Sequence, residues 1–197
     1  LEMLQALARR NTEGGASGNT AHTWWSPDAG GPEATLEIHL PAGASPAQVQ
    51  VAVPRLSHFT QTPTEAAAPA KAAKSDEALS GACNIDASCR PEYLEQARSV
   101  AHYTFVDEGG DSSMCTGTLI NDAQSSGTPY FLSAHHCIAH QAEASTVQTY
   151  WFYRSAACGS EDLNPAVRLL KGGSTLLRSD AATDVALMRL NEQPPAG

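Results

Sequence analysis

Two cysteine-containing segments carry the strongest chemical signal in the sequence. The first is Cys115-Thr-Gly-Thr-Leu-Ile120, and the second is Tyr130-Phe-Leu-Ser-Ala-His-His-Cys137. A cysteine that opens one strand and a second cysteine that follows a histidine could form a disulfide between paired strands. The disulfide would close a loop of about two dozen residues and stabilise the folded state by roughly 3 kcal/mol. The bridge would also fix the backbone beside His136. A general base must be held within hydrogen-bond reach of its nucleophile, so this anchoring would serve a catalytic histidine.

The same histidines allow a second interpretation, which is a zinc site. His135, His136, Cys137 and His140 lie close together in the sequence, and His136 and His140 are four positions apart. That spacing is typical of two metal ligands on one helical turn. A metal site would also need further ligands and a free Cys137 thiolate. We therefore predict no metal here.

The two segments resemble the signature of the chymotrypsin-like serine proteases, C-[ST]-G-[ST]-L-[ILV] followed by [ST]-A-x-H-C. The resemblance implies that His136 is the general base, and we interpret its neighbour His135 as having no catalytic duty. The family's second element, an aspartate that opens an apolar strand, is found here as Asp184-Val-Ala-Leu-Met-Arg-Leu190. Asp180 is the weaker candidate because no apolar strand follows it directly. Histidine before aspartate, with serine last, is the chymotrypsin order.

The finer agreement is with the lysyl endopeptidase and protease IV branch of that family. The segment Ser80-Gly-Ala-Cys-Asn-Ile-Asp-Ala-Ser-Cys89 resembles the mature amino-terminal region of this branch, and further similar segments follow in family order. The resemblance implies two disulfides, Cys115–Cys137 and Cys89–Cys158. It also implies that Cys83 pairs with a cysteine of the carboxy-terminal half, so that Cys83 is expected to be unpaired here.

The nucleophile of this family lies in a Gly-x-Ser-Gly segment, and none follows Asp184. The oxyanion hole and the specificity pocket belong to the same carboxy-terminal half. We therefore expect residues 1–197 to be the front part of a serine endopeptidase precursor. This part should be inactive by itself. The resemblance implies cleavage after lysine and no cofactor. Protein or peptide substrates and the missing half of the protease are the expected partners.

Composition narrows the range of other partners. The formal net charge of -9 argues against binding to nucleic acid or to anionic membranes. No stretch approaches the roughly 18 apolar residues that are needed to span a bilayer. The chain opens without a signal-peptide pattern, so we expect its targeting segment to have been separated. The disulfides that the resemblance implies are typical of an oxidising compartment, and we predict a secreted, extracellular protein.

The sequence divides into three regions. Residues 1–60 contain two alternating apolar runs, at 36–40 and 49–53, which predict a small β-rich pro-region module. Residues 61–80 are rich in alanine and proline and predict an exposed linker. Lys71 and Lys74 lie in this linker, just before the mature-type start. Since exposed linkers are readily cleaved, they are predicted self-processing sites of an enzyme that cleaves after lysine.

Residues 81–197 contain six short apolar or β-prone runs, separated by polar or glycine-containing turns. These runs are 100–105, 115–120, 130–133, 147–153, 167–170 and 185–190. Such punctuation is typical of an all-β sandwich or barrel. Together with the resemblance, it predicts a chymotrypsin-like antiparallel six-stranded β-barrel, the first of the usual two. The alternative function is a non-catalytic binding or interaction protein built on an inactive protease barrel.

Overall fold

The computed structural model describes residues 9, 11–13, 26, 33–49, 53, 56–57, 85–107, 109–160 and 162–196. The predicted linker, with Lys71 and Lys74, lies outside the described residues, and so does Cys83. All the strands of the described part fall between residues 100 and 190. No helix of that part is long and apolar enough to cross a membrane.

Seven strands of the described part form one antiparallel sheet. They are β1 (Val100–Val106), β2 (Ser112–Ile120), β3 (Tyr130–Ser133), β4 (Gln148–Trp151), β5 (Arg168–Leu170), β6 (Ser174–Asp180) and β7 (Val185–Leu190). The helices are short: 3-10 turns at Pro46–Gln48, Ala87–Cys89 and Pro91–Tyr93, then α1 (Leu94–Ala97) and α2 (Gln141–Ala144). The all-β prediction is confirmed. The described residues contain one strand more than the six predicted runs, and the additional strand is β6.

The alternation of side chains in β6 is interrupted, which explains why the sequence pattern does not reveal it. Against β7, the register shifts between Leu176 and Arg178, as at a β-bulge. A bulge adds one residue to a strand, so the side chains before and after it no longer follow a single period of two. The run Leu176-Leu177-Arg178 therefore lacks the alternation that marks the other strands.

The sheet curls until its two edges approach each other. Its order is β5-β4-β1-β2-β3-β7-β6, so the edge strands β5 and β6 are consecutive in the chain. Leu170 at one edge and Leu190 near the other line the same small pocket. Gly173 turns the chain between them at φ +68°, and a Cβ there would lie 2.4 Å from the Ser145 carbonyl oxygen. No described ladder joins β5 to β6, so hydrogen bonds do not close a full barrel.

Helix α2 covers the free edge of β6 through one side chain. The Gln141 amide donates to the Ser174 carbonyl oxygen at 3.1 Å, and its own oxygen accepts from the Leu176 N–H at 2.8 Å. These are backbone groups that a neighbouring strand would otherwise pair with. Gln141 is buried, and both ends of its amide are satisfied, as buried polar groups require.

The aromatic core lies inside the curl and fixes the strands that carry the candidate site. The Phe131 ring of β3 contacts Tyr103 of β1 edge-on at 5.8 Å and Trp151 of β4 at 6.0 Å. Gly117 of β2 lies directly beneath this ring, where an added Cβ would come within 2.4 Å of Phe131. The glycine of the Cys-Thr-Gly-Thr segment therefore allows a large aromatic to occupy the centre. Met188 of β7 completes the same buried cluster.

The described part of the amino-terminal region is mostly exposed. Residues 33–40 are not assigned to a strand, and the side chains of Leu36, Ile38 and Leu40 are exposed. Pro46–Gln48 forms a 3-10 turn. The Ala47 N–H of this turn donates a hydrogen bond to the Ser45 hydroxyl. The second predicted run, 49–53, lies partly outside the described residues. The β-rich pro-region module stays a prediction.

Candidate active site

His136 is presented by a tight turn that begins where β3 ends. The N–H groups of Cys137 and Ile138 both donate to the Ala134 carbonyl oxygen, at 3.2 and 3.1 Å, so the chain makes a single helical turn. A disulfide then ties Cys137 to Cys115 of β2. Because Cys137 is buried and its neighbour is exposed, the bridge holds the turn while the imidazole projects from it.

Asp184 reaches the same place from the start of β7. Ser133 of β3 pairs with Ala186 of β7, so the end of one strand lies beside the beginning of the other. Asp184 has φ +52°, a left-handed conformation that aspartate tolerates better than most residues. The preceding turn is capped by Asp180, whose carboxylate accepts from the Ala182 and Thr183 N–H groups. Asp180 thus has a turn-forming role and is paired with Arg178.

Two hydrogen bonds join His136 to Asp184. The imidazole Nδ1 lies 2.8 Å from Asp184 Oδ2, and the backbone N–H of His136 donates to Oδ1 at 2.9 Å. The backbone hydrogen bond, followed by the side-chain bond and the charge of His136, lowers the pKa of Asp184 below its ordinary value. A carboxylate can only accept, so Nδ1 carries the proton and donates it to Asp184. Nε2 is thereby left as the basic ring nitrogen on a side chain that is 70% exposed.

His135 belongs to a different hydrogen-bond network. Its Nδ1 lies 2.7 Å from the Ser179 hydroxyl, which donates to the Ile138 carbonyl oxygen at 2.9 Å. The hydroxyl of Ser179 has one proton and donates it to Ile138, so it accepts the hydrogen bond from His135 Nδ1. This link joins the histidine turn to β6. Sequence reasoning missed Ser179, because nothing in the local pattern brings a serine 44 positions away to His135.

The donor atoms near His136 do not form the histidine cluster that the zinc interpretation requires. Among the described residues, the one group with suitable donor spacing combines His136 with Cys115 and Cys137. Both sulfurs are bonded to each other, so neither is a thiolate ligand. His135 is bonded to Ser179 and is not a member of that group.

A second disulfide joins Cys89 to Cys158, across 69 positions. It ties the segment before β1 to the loop after β4. Asp86 strengthens this connection, because its carboxylate accepts from the Ser88 N–H at 2.9 Å and from the Gly159 N–H at 3.2 Å. These hydrogen bonds, led by that of Ser88, lower the pKa of Asp86. The two disulfides are the pairs that the resemblance implied.

The curled all-β sheet, with an aspartate-bonded histidine at the end of β3, has the architecture of the chymotrypsin-like class. Comparison with known proteins identifies the family. The model of the lysyl endopeptidase C-terminal domain matches residues 78–197, and that of the lysyl endopeptidase N-terminal domain matches residues 2–60. The chain belongs to the lysyl endopeptidase family.

One curated relative gives the extent of the similarity. A lysyl endopeptidase of Pseudomonas aeruginosa is 36% identical over 182 residues, which covers 88% of this chain. The chain spans 38% of the length of that relative.

Proposed function

We propose that this chain supplies the general base and the orienting carboxylate of a secreted serine endopeptidase. The observation that carries the proposal is the pair of hydrogen bonds from His136 to Asp184. Because the carboxylate is held at both oxygens, it fixes the orientation of the imidazole and stabilises its protonated form. The exposed Nε2 then accepts the proton of an attacking serine hydroxyl and later delivers it to the leaving amine.

The nucleophile in this proposal comes from a further part of the protein. No described serine is hydrogen bonded to His136, and Ser179 is committed to His135 and Ile138. The similar lysyl endopeptidase is much longer than this chain, which leaves room for a serine-bearing domain. On this proposal, residues 1–197 form no acyl-enzyme alone, and the substrates are proteins and peptides cleaved after lysine.

The test replaces His136 by alanine in the full-length protein. His136→Ala should lower kcat on a lysine-containing peptide amide by at least about 10⁴-fold, because no other group can take the serine proton. The matched control is His135→Ala, which removes the adjacent imidazole and should cost about tenfold or less, as expected for a group that only holds the turn. Near-normal turnover in the first variant would refute the assignment.

Processing of the precursor offers a separate test of lysine specificity. If the enzyme cleaves its own linker, the mature protein should begin at Ala72 or Ser75, directly after Lys71 or Lys74. Replacing both lysines by glutamine should leave the precursor uncut. Intact mass spectrometry of the secreted protein measures both outcomes. A mature start elsewhere, unchanged by the double substitution, would contradict self-processing at these sites.

A further inference from the structure

Strand β4 is buried on both of its faces, which a single curled sheet does not explain. Tyr103 and Trp151 point into the core, so their strand neighbours point outward. On that outer side, Thr104 pairs with Gln148, and His102 pairs with Tyr150. An outward face of an antiparallel sheet is normally half exposed to water. Here Thr104 is 1% exposed, Tyr150 3% and Gln148 7%. These four side chains define the β1–β4 outer face.

The β1–β4 outer face combines aromatic rings with polar atoms. The His102 imidazole stacks on Tyr153 at 4.7 Å and meets Tyr150 at 5.9 Å. The His102 Nε2 and the Thr104 Oγ1 are inaccessible to water, and neither has a hydrogen-bond partner in the described part of the protein. Buried polar atoms almost always have a partner. The surface therefore fits a covering segment that brings hydrogen-bond donors or acceptors as well as apolar groups.

Two described residues of the protease side cover part of this face: Tyr153 stacks on His102, and Leu169 of β5 pairs with Tyr150. Helix α2 packs on the opposite side, since Ala144 belongs to the core and Gln141 is bonded to β6. The segment before β1 is fastened beyond the end of β4, where Cys89 is bridged to Cys158.

The amino-terminal region does reach this side of the sheet. The Ser57 hydroxyl is hydrogen bonded to the hydroxyl of Ser112, the first residue of β2. Ser112 pairs with Val106 of β1, two residues along the strand from Thr104. Near the start of the chain, Asn11 in a helical turn is completely buried.

We propose that the β1–β4 outer face is the docking surface for residues 1–60 of the same chain. The choice of occupant rests on the hydrogen bond of Ser57 to Ser112, at the edge of this surface. In an enzyme of this family the surface would hold the amino-terminal domain on the protease domain before the two are separated. The proposal does not depend on which residues perform catalysis.

The first test is the accessibility of the His102 imidazole to diethyl pyrocarbonate, followed by mass spectrometry of the full-length protein. His102 should resist modification in the uncut protein, while the exposed His39 and His136 react. Once residues 1–60 are cut off and removed, the modification rate of His102 should rise at least tenfold. Equal protection of His102 after removal, or a rate equal to that of His136 in the uncut protein, would overturn the proposal.

A pair of matched substitutions tests the surface itself. Thr104→Lys puts a charge where the side chain is buried, so it should expose His102 in the uncut protein. Gln124→Lys places the same charge on an exposed position of the loop between β2 and β3, outside this face, and should change nothing. If diethyl pyrocarbonate modifies His102 in both variants as slowly as in the unsubstituted protein, the docking surface lies elsewhere.

A crosslink keeps the proposal testable if Thr104→Lys does not fold. Ser57→Cys combined with Ser112→Cys should form a disulfide that keeps residues 1–60 attached after the linker is cut. Ser57→Cys combined with Ser113→Cys is the control, because successive residues of a strand point to opposite faces. Equal crosslinking in the two pairs, or none in the first, would contradict the docked arrangement.

Discussion

At the scale of single residues, two aspartates four positions apart perform different work. Asp184 accepts from the backbone and the ring of His136, whereas Asp180 accepts from the turn that precedes Asp184. Both have a pKa below the ordinary value. The first cause for Asp184 is the His136 backbone hydrogen bond, and the first cause for Asp180 is the side chain of Arg178. Acidity alone therefore does not distinguish the catalytic candidate from the structural residue, but geometry does.

Amide substitution separates the two roles. Asp184→Asn replaces an oxygen that can only accept by a group that donates, so the imidazole loses its correct tautomer and kcat should fall about 10⁴-fold. Asp180→Asn preserves the shape of the turn and should leave kcat within about threefold of the original. Steady-state kinetics of the two full-length variants makes the comparison. Equal losses would mean that Asp184 acts only by shaping its turn.

The pH dependence of stability should be alike in the two variants, unlike their activity. A carboxyl whose folded pKa is lowered stabilises the protein above its unfolded pKa, about 4, and this contribution is lost as pH falls through the folded value. Each Asn variant should therefore have a lower Tm than the unmodified protein at pH 7, and the difference should shrink below about pH 4. Thermal unfolding from pH 3 to 7 tests this, and a difference that grows at low pH would contradict it.

At the scale of secondary-structure elements, the sequence pattern predicts the strands that alternate regularly, but not the contacts between residues that are far apart in the sequence. The runs at 130–133 and 185–190 coincide with β3 and β7, because alternation and turn residues mark both ends. The bulged strand β6 has no such alternation, and the link from Gln141 to its edge spans 35 positions to Leu176. The His136–Asp184 pair was accessible from the sequence only through its flanking motifs, since 48 positions separate the two residues.

Strand β2 contains an element-scale constraint at Gly117. A methyl group there would approach the Phe131 ring to 2.4 Å and the Leu132 carbonyl oxygen to 2.9 Å. Gly117→Ala should therefore lower the free energy of unfolding by about 1–3 kcal/mol through overpacking. It should also reduce kcat, because Phe131 lies on the strand that leads to the His136 turn. Chemical denaturation measures the first effect.

The neighbouring position provides the control for that substitution. Thr116 is exposed on the same strand, so Thr116→Ala should cost about 1 kcal/mol or less, the range of strand propensity alone. If Gly117→Ala were as stable as Thr116→Ala, the ring of Phe131 would have room that the structure does not show.

At the scale of the whole molecule, the described residues form two buried layers with different composition. The inner layer is the apolar cluster around Phe131, Trp151 and Met188. The β1–β4 outer face, in contrast, contains a histidine whose pKa is lowered by burial. The groups in ring contact with His102 are the Tyr150 and Tyr153 phenols. Tyrosine phenols are neutral at physiological pH, so protonated His102 would gain no charged partner from these two rings.

Docking of residues 1–60 should consequently weaken in acid. A buried histidine with a lowered pKa binds fewer protons than the same residue in water, whose pKa is about 6.5, so docking is strongest above that pH and weakens as pH falls below it. Hydrogen exchange of the peptides containing Asn11 and Ser57, corrected for the intrinsic rate, should show less protection at pH 5 than at pH 7.5. His102→Phe keeps an aromatic ring against Tyr153 and removes the titration, so this variant should stay equally protected at both pH values. Equal acid sensitivity in both proteins would show that another group controls the docking.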